Sequence, residues 1–107
     1  MVKNKRKPRS DRKHIIYRLT NVTNGKTYIG LTVMIGQGVW KAVKLRFQRH
    51  ASRAKCTTLD WALFNDIRNF GVESFEYDVI EVVRGKRAAH NREREIIAQE
   101  VPELNVQ

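Results

Sequence analysis

Apolar and polar positions alternate along "IIYRLT", which mixes β-branched and aromatic residues with polar ones, and the alternation resumes in "KTYIGLT" after "NVTNG". Asn-Gly between two such runs predicts a β-hairpin, because a type I′ turn needs positive φ at both central residues. "VMIGQG" follows as a glycine-containing loop. From about Gln37 to Lys55 the period changes to that of a helix, with Trp40, Val43, Phe47, Ala51 and Ala54 on one stripe. Thr57 or Thr58 is placed to cap a second helix running to about Asn69, with Leu59, Ala62, Leu63, Ile67 and Phe70 recurring at three and four and Gly71 ending it. "SFEYDVIEVV" reads as a strand and "RG" as a turn. A third helix spans about Lys86 to Gln99, stopping ahead of Pro102, and "LNV" forms a short extended tail. The expected order is β-β-α-α-β-α: an α+β domain with a small three-stranded antiparallel sheet flanked by three helices.

The hairpin's loop length decides what its two tyrosines can do together. A two-residue or a four-residue loop leaves Tyr17 and Tyr28 on one face of the sheet, and the four-residue loop sets Tyr28 opposite Leu19. An odd loop separates them. Cross-strand aromatic packing is the ordinary reason for such a pair.

Two further positions conflict with the pattern around them. In the last helix the apolar stripe runs through Ala89, Ile96 and Ile97, and the residue that falls on it by spacing is Glu93, whereas Glu95 points elsewhere. A carboxylate on a half-buried face costs free energy unless it is paired, protonated or bound to a metal, and an ordinary ion pair would satisfy it. In the first helix Arg46 and His50 are one turn apart and border the stripe of Val43, Phe47 and Ala54.

Charge narrows the function. The formal net charge of this 107-residue chain is +10 and its pI about 10.3, yet 15 of the 21 Lys and Arg and one of the 11 Asp and Glu lie in residues 1–55. A chain polarised in this way is suited to laying its N-terminal half on a polyanion, with DNA or RNA favoured over a membrane because there is no basic amphipathic helix with an exposed aromatic face. Residues 1–13, "MVKNKRKPRSDRK", read as a disordered basic arm, and residues 14–107 as the folded domain. No apolar run reaches membrane-spanning length and no secretory segment is recognisable. The single Cys56 cannot form an internal disulfide or a zinc site with other cysteines.

Taken in order, "IIY", "YIG", "RFQRH", a glutamate in "HNREREII" and the final "LNV" resemble the GIY-YIG nuclease superfamily, from His14 to Val106. The resemblance implies a metal-dependent DNA endonuclease whose catalytic residues here are Tyr17, Tyr28, Arg46, His50, Glu93 and Asn105. It implies a single Mg²⁺ (or Mn²⁺) on Glu93, since a hard cation of this kind accepts few protein ligands and keeps several waters. Arg46 would neutralise developing phosphate charge, Tyr17 or Tyr28 would orient or deprotonate the attacking water, and His50 is the competing base or proton donor. Gly30, lacking Cβ, would let the backbone come close to the phosphate. Contacts to nucleic acid are expected from Lys3, Lys5, Arg6, Lys7, Arg9, Arg12 and Lys13 of the arm, and from Arg18, Lys26, Arg49 and Arg53.

The chain departs from the family pattern in three places. Ile15 replaces the first glycine of the family name, Leu104 stands where a Tyr is common, and the segment from Leu31 to Leu45 is long. Homing and phage members of the family usually carry a separate DNA-reading domain, so target preference is expected from the basic arm, the long loop or the second copy in a homodimer. The expected setting is the cytoplasm of a bacterial or phage-infected cell. The alternative is a basic DNA- or RNA-binding module that keeps the fold without turnover.

Overall fold

The computed structural model describes residues 12–34, 36 and 38–105. Strand β1 (Lys13–Asn21) lies at the centre of a sheet ordered β2-β1-β3, antiparallel to both β2 (Thr27–Val33) and β3 (Phe75–Arg84). β1 takes the centre because both of its faces are apolar: Ile15, Ile16, Tyr17 and Leu19 are all fully buried. Ile15, Tyr17 and Leu19 pack against Val43, Phe47 and Ala54 of helix α1 (Val39–Cys56) and Leu63, Phe64 and Ile67 of helix α2 (Ala62–Phe70). On the opposite face Ile16 and Ile29 meet Ile96 of helix α3 (Lys86–Glu100). Each large side chain buried in these two clusters contributes about 1.5–3 kcal/mol. Among the described residues no helix is long and apolar enough to cross a membrane.

The hairpin takes the even, four-residue form. Leu19 pairs with Tyr28 and Tyr17 with Gly30, while Asn21 and Lys26 close the loop through a 2.9 Å backbone bond. The expected type I′ turn is not formed: Gly25 has φ 76°, but Asn24 keeps negative φ. A polar network replaces that turn. Asn21, fully buried, donates to Asp66 Oδ2 at 2.6 Å and accepts from Ser74 Oγ at 2.6 Å, and Asn24 Nδ2 reaches Asp66 Oδ1 at 3.1 Å. The loop is thus tied to α2 by its side chains, which removes the need for an intrinsically tight turn.

The helices depart from the predicted pattern in ways that geometry explains. Trp40 is 56% exposed rather than in the core. The buried stripe of α1 is Val43, Phe47, His50 and Ala54, and on a helix of 3.6 residues per turn Trp40 and the half-buried Ala51 fall on one shoulder of it. α2 starts at Ala62 instead of being capped by Thr57 or Thr58, and its Leu59 and Phe70 positions are 39% exposed. The carbonyls of Ala54, Thr57 and Leu59 all accept from the Arg68 guanidinium, at 2.7, 2.6 and 3.0 Å, so one side chain ties down the non-helical segment that joins α1 to α2.

The C-terminal "LNV" is not an extended tail. Glu103–Asn105 forms a 3₁₀ turn whose side chains complete the free edge of β2. Glu103 accepts from Thr27 N at 3.3 Å, and the Asn105 amide both accepts from Ile29 N and donates to Ile29 O, each at 2.8 Å. Side chains therefore occupy the first part of the edge that another strand would otherwise cover.

A bulge in β3 places Glu81 opposite Ile16 and Val79 opposite Tyr17, leaving Ile80 as the extra residue. Such bulges increase local twist and re-aim neighbouring side chains. Across the other ladder, a Cβ at Gly30 would collide with the hydroxyl and ring of Tyr17 and with the ring of Tyr28. Gly30→Ala is expected to cost about 2 kcal/mol of stability by overpacking, read as a lowered urea midpoint with unchanged m-value.

Candidate active site

Three elements carry polar groups to one end of the α1 side of the sheet. Alternation along β1 turns Tyr17 toward α1, and the Leu19–Tyr28 pairing puts Tyr28 on the same face, with ring centroids 6.3 Å apart. One turn of α1 separates Arg46 from His50, and the imidazole closes a triangle with the two phenols, its centroid 6.4 Å from that of Tyr17. His50 Nε2 is 2.9 Å from Tyr17 Oη, and its ring lies 5.5 Å from that of Tyr28 in an edge-on arrangement. The long segment from Leu31 to Leu45 does not displace Arg46, whose charge acts on both tyrosines and on His50. A recess of roughly 240 Å³ opens here, with Tyr28, Arg46, His50 and Arg53 on its polar side and Trp61 and Leu104 on its apolar side.

Burial governs the ionisation of these groups. It raises the Tyr17 hydroxyl well above the usual phenol range; Tyr28 adds to the rise, and Arg46 only partly opposes it. Tyr28 is raised by burial too, again against Arg46. His50 is pushed down to about 4 by burial, with Arg46 and Arg53 adding to the shift. At neutral pH the site therefore holds two neutral phenols and a neutral imidazole. Glu93 comes from α3 and is half-buried, its side chain 18% exposed, with His90 Nδ1 3.7 Å away. Burial raises its carboxyl, opposed by His90 and Arg94, and its charge is felt by both tyrosines.

Among the described residues one buried side-chain atom is left without a partner. The buried Nε of Arg46 makes no hydrogen bond. A charged donor in that state costs more than an ordinary lost hydrogen bond, and an anionic oxygen entering the recess would relieve the cost.

The depressed His50 has a consequence for stability. Its folded pKa lies below the unfolded value near 6.5, so its contribution is intact above about pH 6.5 and is lost as pH falls toward about 4. The loss amounts to roughly 3 kcal/mol at the low end of that window. Urea denaturation between pH 7 and 4 should show this fall, and His50→Gln should flatten it.

The other expected site residues divide between the margin of the recess, where Gly30 and Arg53 lie, and positions away from it. Asn105 has its amide oxygen and nitrogen on the Ile29 backbone, so it acts through β2 by holding the strand that carries Tyr28 and Gly30. Gly30 makes room for the Tyr17 ring, a nearer reason for its missing Cβ than approach to a phosphate. Arg53 lies over the rings of Trp61 and Phe64, 5.6 and 5.7 Å from their centroids. Arg49 is exposed on α1, Lys26 is exposed beside the hairpin loop and Lys13 is exposed at the start of β1. Arg18 points to the opposite face, where its guanidinium engages both oxygens of Glu100 at 2.6 and 3.2 Å. Arg12 is half-buried, and its carbonyl accepts from His14 Nδ1 at 2.8 Å. Lys3, Lys5, Arg6, Lys7 and Arg9 lie outside the described residues.

The sequence pattern did not reveal Trp61 as a wall of the recess or the Asn21–Asp66–Ser74 network beneath the hairpin. Two Asn residues around one short turn were the available signal for the second. Among the described residues no group of three or more His, Cys, Asp and Glu side chains is arranged to hold a metal. Glu93 alone, half-buried and open on one side, suits a hard divalent cation that keeps most of its water.

The family model of the GIY-YIG catalytic domain matches residues 13–105. A solved structure of the catalytic domain of intron endonuclease I-TevI, in a mutant form, superposes with a TM-score of 0.62 at 24% identity, covering 87% of this chain and 84% of that one. At that identity the likeness is one of fold: the same α+β arrangement of a three-stranded sheet and three helices. No curated protein sequence matches significantly.

Proposed function

The chain belongs to the GIY-YIG catalytic-domain family, and from that premise we propose that it is a divalent-metal-dependent DNA endonuclease hydrolysing phosphodiester bonds at a single-metal site. The observation that carries this reading is the buried, unpartnered Nε of Arg46 beside the Tyr17–His50 hydrogen bond. A phosphodiester in the recess supplies the missing acceptor, and the guanidinium fork then follows the charge that builds on phosphorus in the transition state.

Tyr17 is a poor base by itself, because burial stabilises its protonated form. Its bond to His50 offers a route: as Tyr17 Oη takes a proton from the attacking water, its own proton passes to His50 Nε2. The imidazole is neutral at working pH and therefore able to receive it. Tyr28, raised in the same way, stays protonated and can donate to a phosphate oxygen. Glu93 would hold Mg²⁺ or Mn²⁺, which when bound supplies Lewis-acid charge to the phosphate and the leaving 3′-oxygen. Asn105 keeps β2, and with it Tyr28, in register with Tyr17.

Arg49, Arg53, Lys26 and the basic arm are the proposed contacts to the DNA backbone, and a homodimer would supply a second cut. A bacterial or phage-infected cytoplasm is the setting we propose, on the family resemblance. The decisive experiment is nicking of supercoiled plasmid at neutral pH. Nicked product is expected with Mg²⁺ or Mn²⁺ and none with EDTA. Salt-sensitive DNA binding with no cleavage under any divalent ion would overturn the reading in favour of a non-catalytic binding module.

A further inference from the structure

The charged residues of α3 divide between its two flanks. Arg92 is turned toward β3 and neutralised, with Nε 2.9 Å from Glu81 and Nη1 3.0 Å from Glu95. At 3.6 residues per turn, Lys86, His90 and Arg94 fall on the other flank of Glu93, with Arg87 just beyond them. These groups are not compensated in the same way. Lys86 and Arg87 have no ion-pair partner among the described residues, and the hydrogen bond of Arg94 goes to the neutral Asn91 at 3.3 Å. Lys86, Arg87, His90, Asn91 and Arg94 line a shallow groove of roughly 450 Å³ that contains no carboxylate.

That groove is out of keeping with its surroundings. Residues 56–107 hold 10 of the 11 Asp and Glu, yet none of them lines it. Like charges three and four residues apart repel, and Lys86 and Arg87 sit in the first turn of a helix with no acidic residue there to offset them. A polyanion laid along this face would turn both penalties into attraction.

Resting on the nuclease reading above, we infer that Lys86, Arg87, His90 and Arg94 form a second phosphate-binding surface, gripping duplex DNA on the Glu93 side of the site while α1 grips it from the Arg46 side. The scissile strand then passes between two basic walls, and Glu93 sits where they meet. The contacts are to backbone phosphates, so they add affinity and orientation without sequence preference.

The test is fluorescence anisotropy of a labelled 30-base-pair duplex across a salt series, using the full chain. The probes are wild type, a triple variant (Lys86→Gln, Arg87→Gln, Arg94→Gln) and Arg92→Gln as a control on the same helix. Each lost phosphate contact lowers the slope of log K against log salt by about 0.9, so the triple variant should lose about 2 to 3 in slope and roughly 10²- to 10³-fold in affinity near 0.1 M salt. Plasmid nicking by wild type, measured alongside, separates binding from chemistry. Arg92→Gln should keep the wild-type slope. An unchanged slope in the triple variant, or an equal loss in Arg92→Gln, overturns the inference. If wild type binds DNA without cutting it, the nuclease reading fails alone. If wild type cuts and the triple variant binds as tightly, only the α3 surface fails. No binding by wild type overturns both.

Discussion

Glu93→Gln is expected to abolish strand cleavage, by about 10³-fold or more, in a protein that is as stable as the wild type or more so. The loss follows from removing the carboxylate proposed to hold the cation, whose charge supplies several kcal/mol to the transition state. The stability follows from the raised carboxyl of Glu93, for which burial is the chief cause. A carboxyl raised on folding favours the folded state below its unfolded pKa, and that advantage is lost as pH rises through the folded value. At neutral pH the wild type therefore carries a penalised charge on a half-buried face, and Gln removes it at nearly constant volume. Thermal melts at pH 7 should show an equal or higher Tm for the variant. Added Mg²⁺ or Mn²⁺ should raise the Tm of wild type and leave that of Glu93→Gln in place, because only binding to the folded state shifts the transition. Wild-type cleavage by the variant would remove Glu93 from the chemistry, and a large drop in Tm would contradict the burial argument.

Arg46→Gln is expected to reduce kcat by 10² to 10⁴, with a spectroscopic signature that separates charge from geometry. Removing one well-placed donor to a developing oxyanion costs about 10² to 10³, and here a full charge goes with it. The same guanidinium is the second cause, after burial, of the depressed His50. Without it the imidazole should titrate higher than about 4 yet still below an exposed histidine, since burial remains. Tyr17 should move further up, because Arg46 is what opposes its burial. Arg46→Lys keeps the charge and loses the planar fork. It should hold the His50 titration near its wild-type position, as followed by NMR of the ring protons, while still losing most of the activity. An unmoved His50 in Arg46→Gln would show that the two side chains are not coupled as the geometry implies.

Much of this is legible in the sequence. The strands and α3 lie close to where apolar periodicity puts them, because β-branched runs and i, i+3, i+4 stripes reflect the face each element must bury. An even hairpin loop is enough to place Tyr17 and Tyr28 on one face, since side chains alternate with a period of two regardless of turn type, and the structure supplies the even form. The conflict at Glu93, a carboxylate on an apolar stripe, marked that residue for the same reason. The errors share one cause. Trp40 was placed in the core and Thr57 or Thr58 at a helix start because local pattern does not say which shoulder of a stripe meets the sheet, or that Arg68 collects the carbonyls of residues 54, 57 and 59.

What the sequence alone determined, then, was the order of the elements, the loop parity that would bring the tyrosines to one face and the list of residues with chemistry to offer. Only the tertiary structure decided which of those residues meet. The Tyr17–His50 bond joins positions 33 residues apart, and the Asn105 clamp on Ile29 spans 76. Contacts at such separations leave no periodic trace, because they depend on how helices and strands pack and not on the local repeat that builds each one. Desolvation is likewise a property of the assembled core: burial, absent from an extended chain, lowers the pKa of His50 and leaves Arg46 Nε without a partner among the described residues.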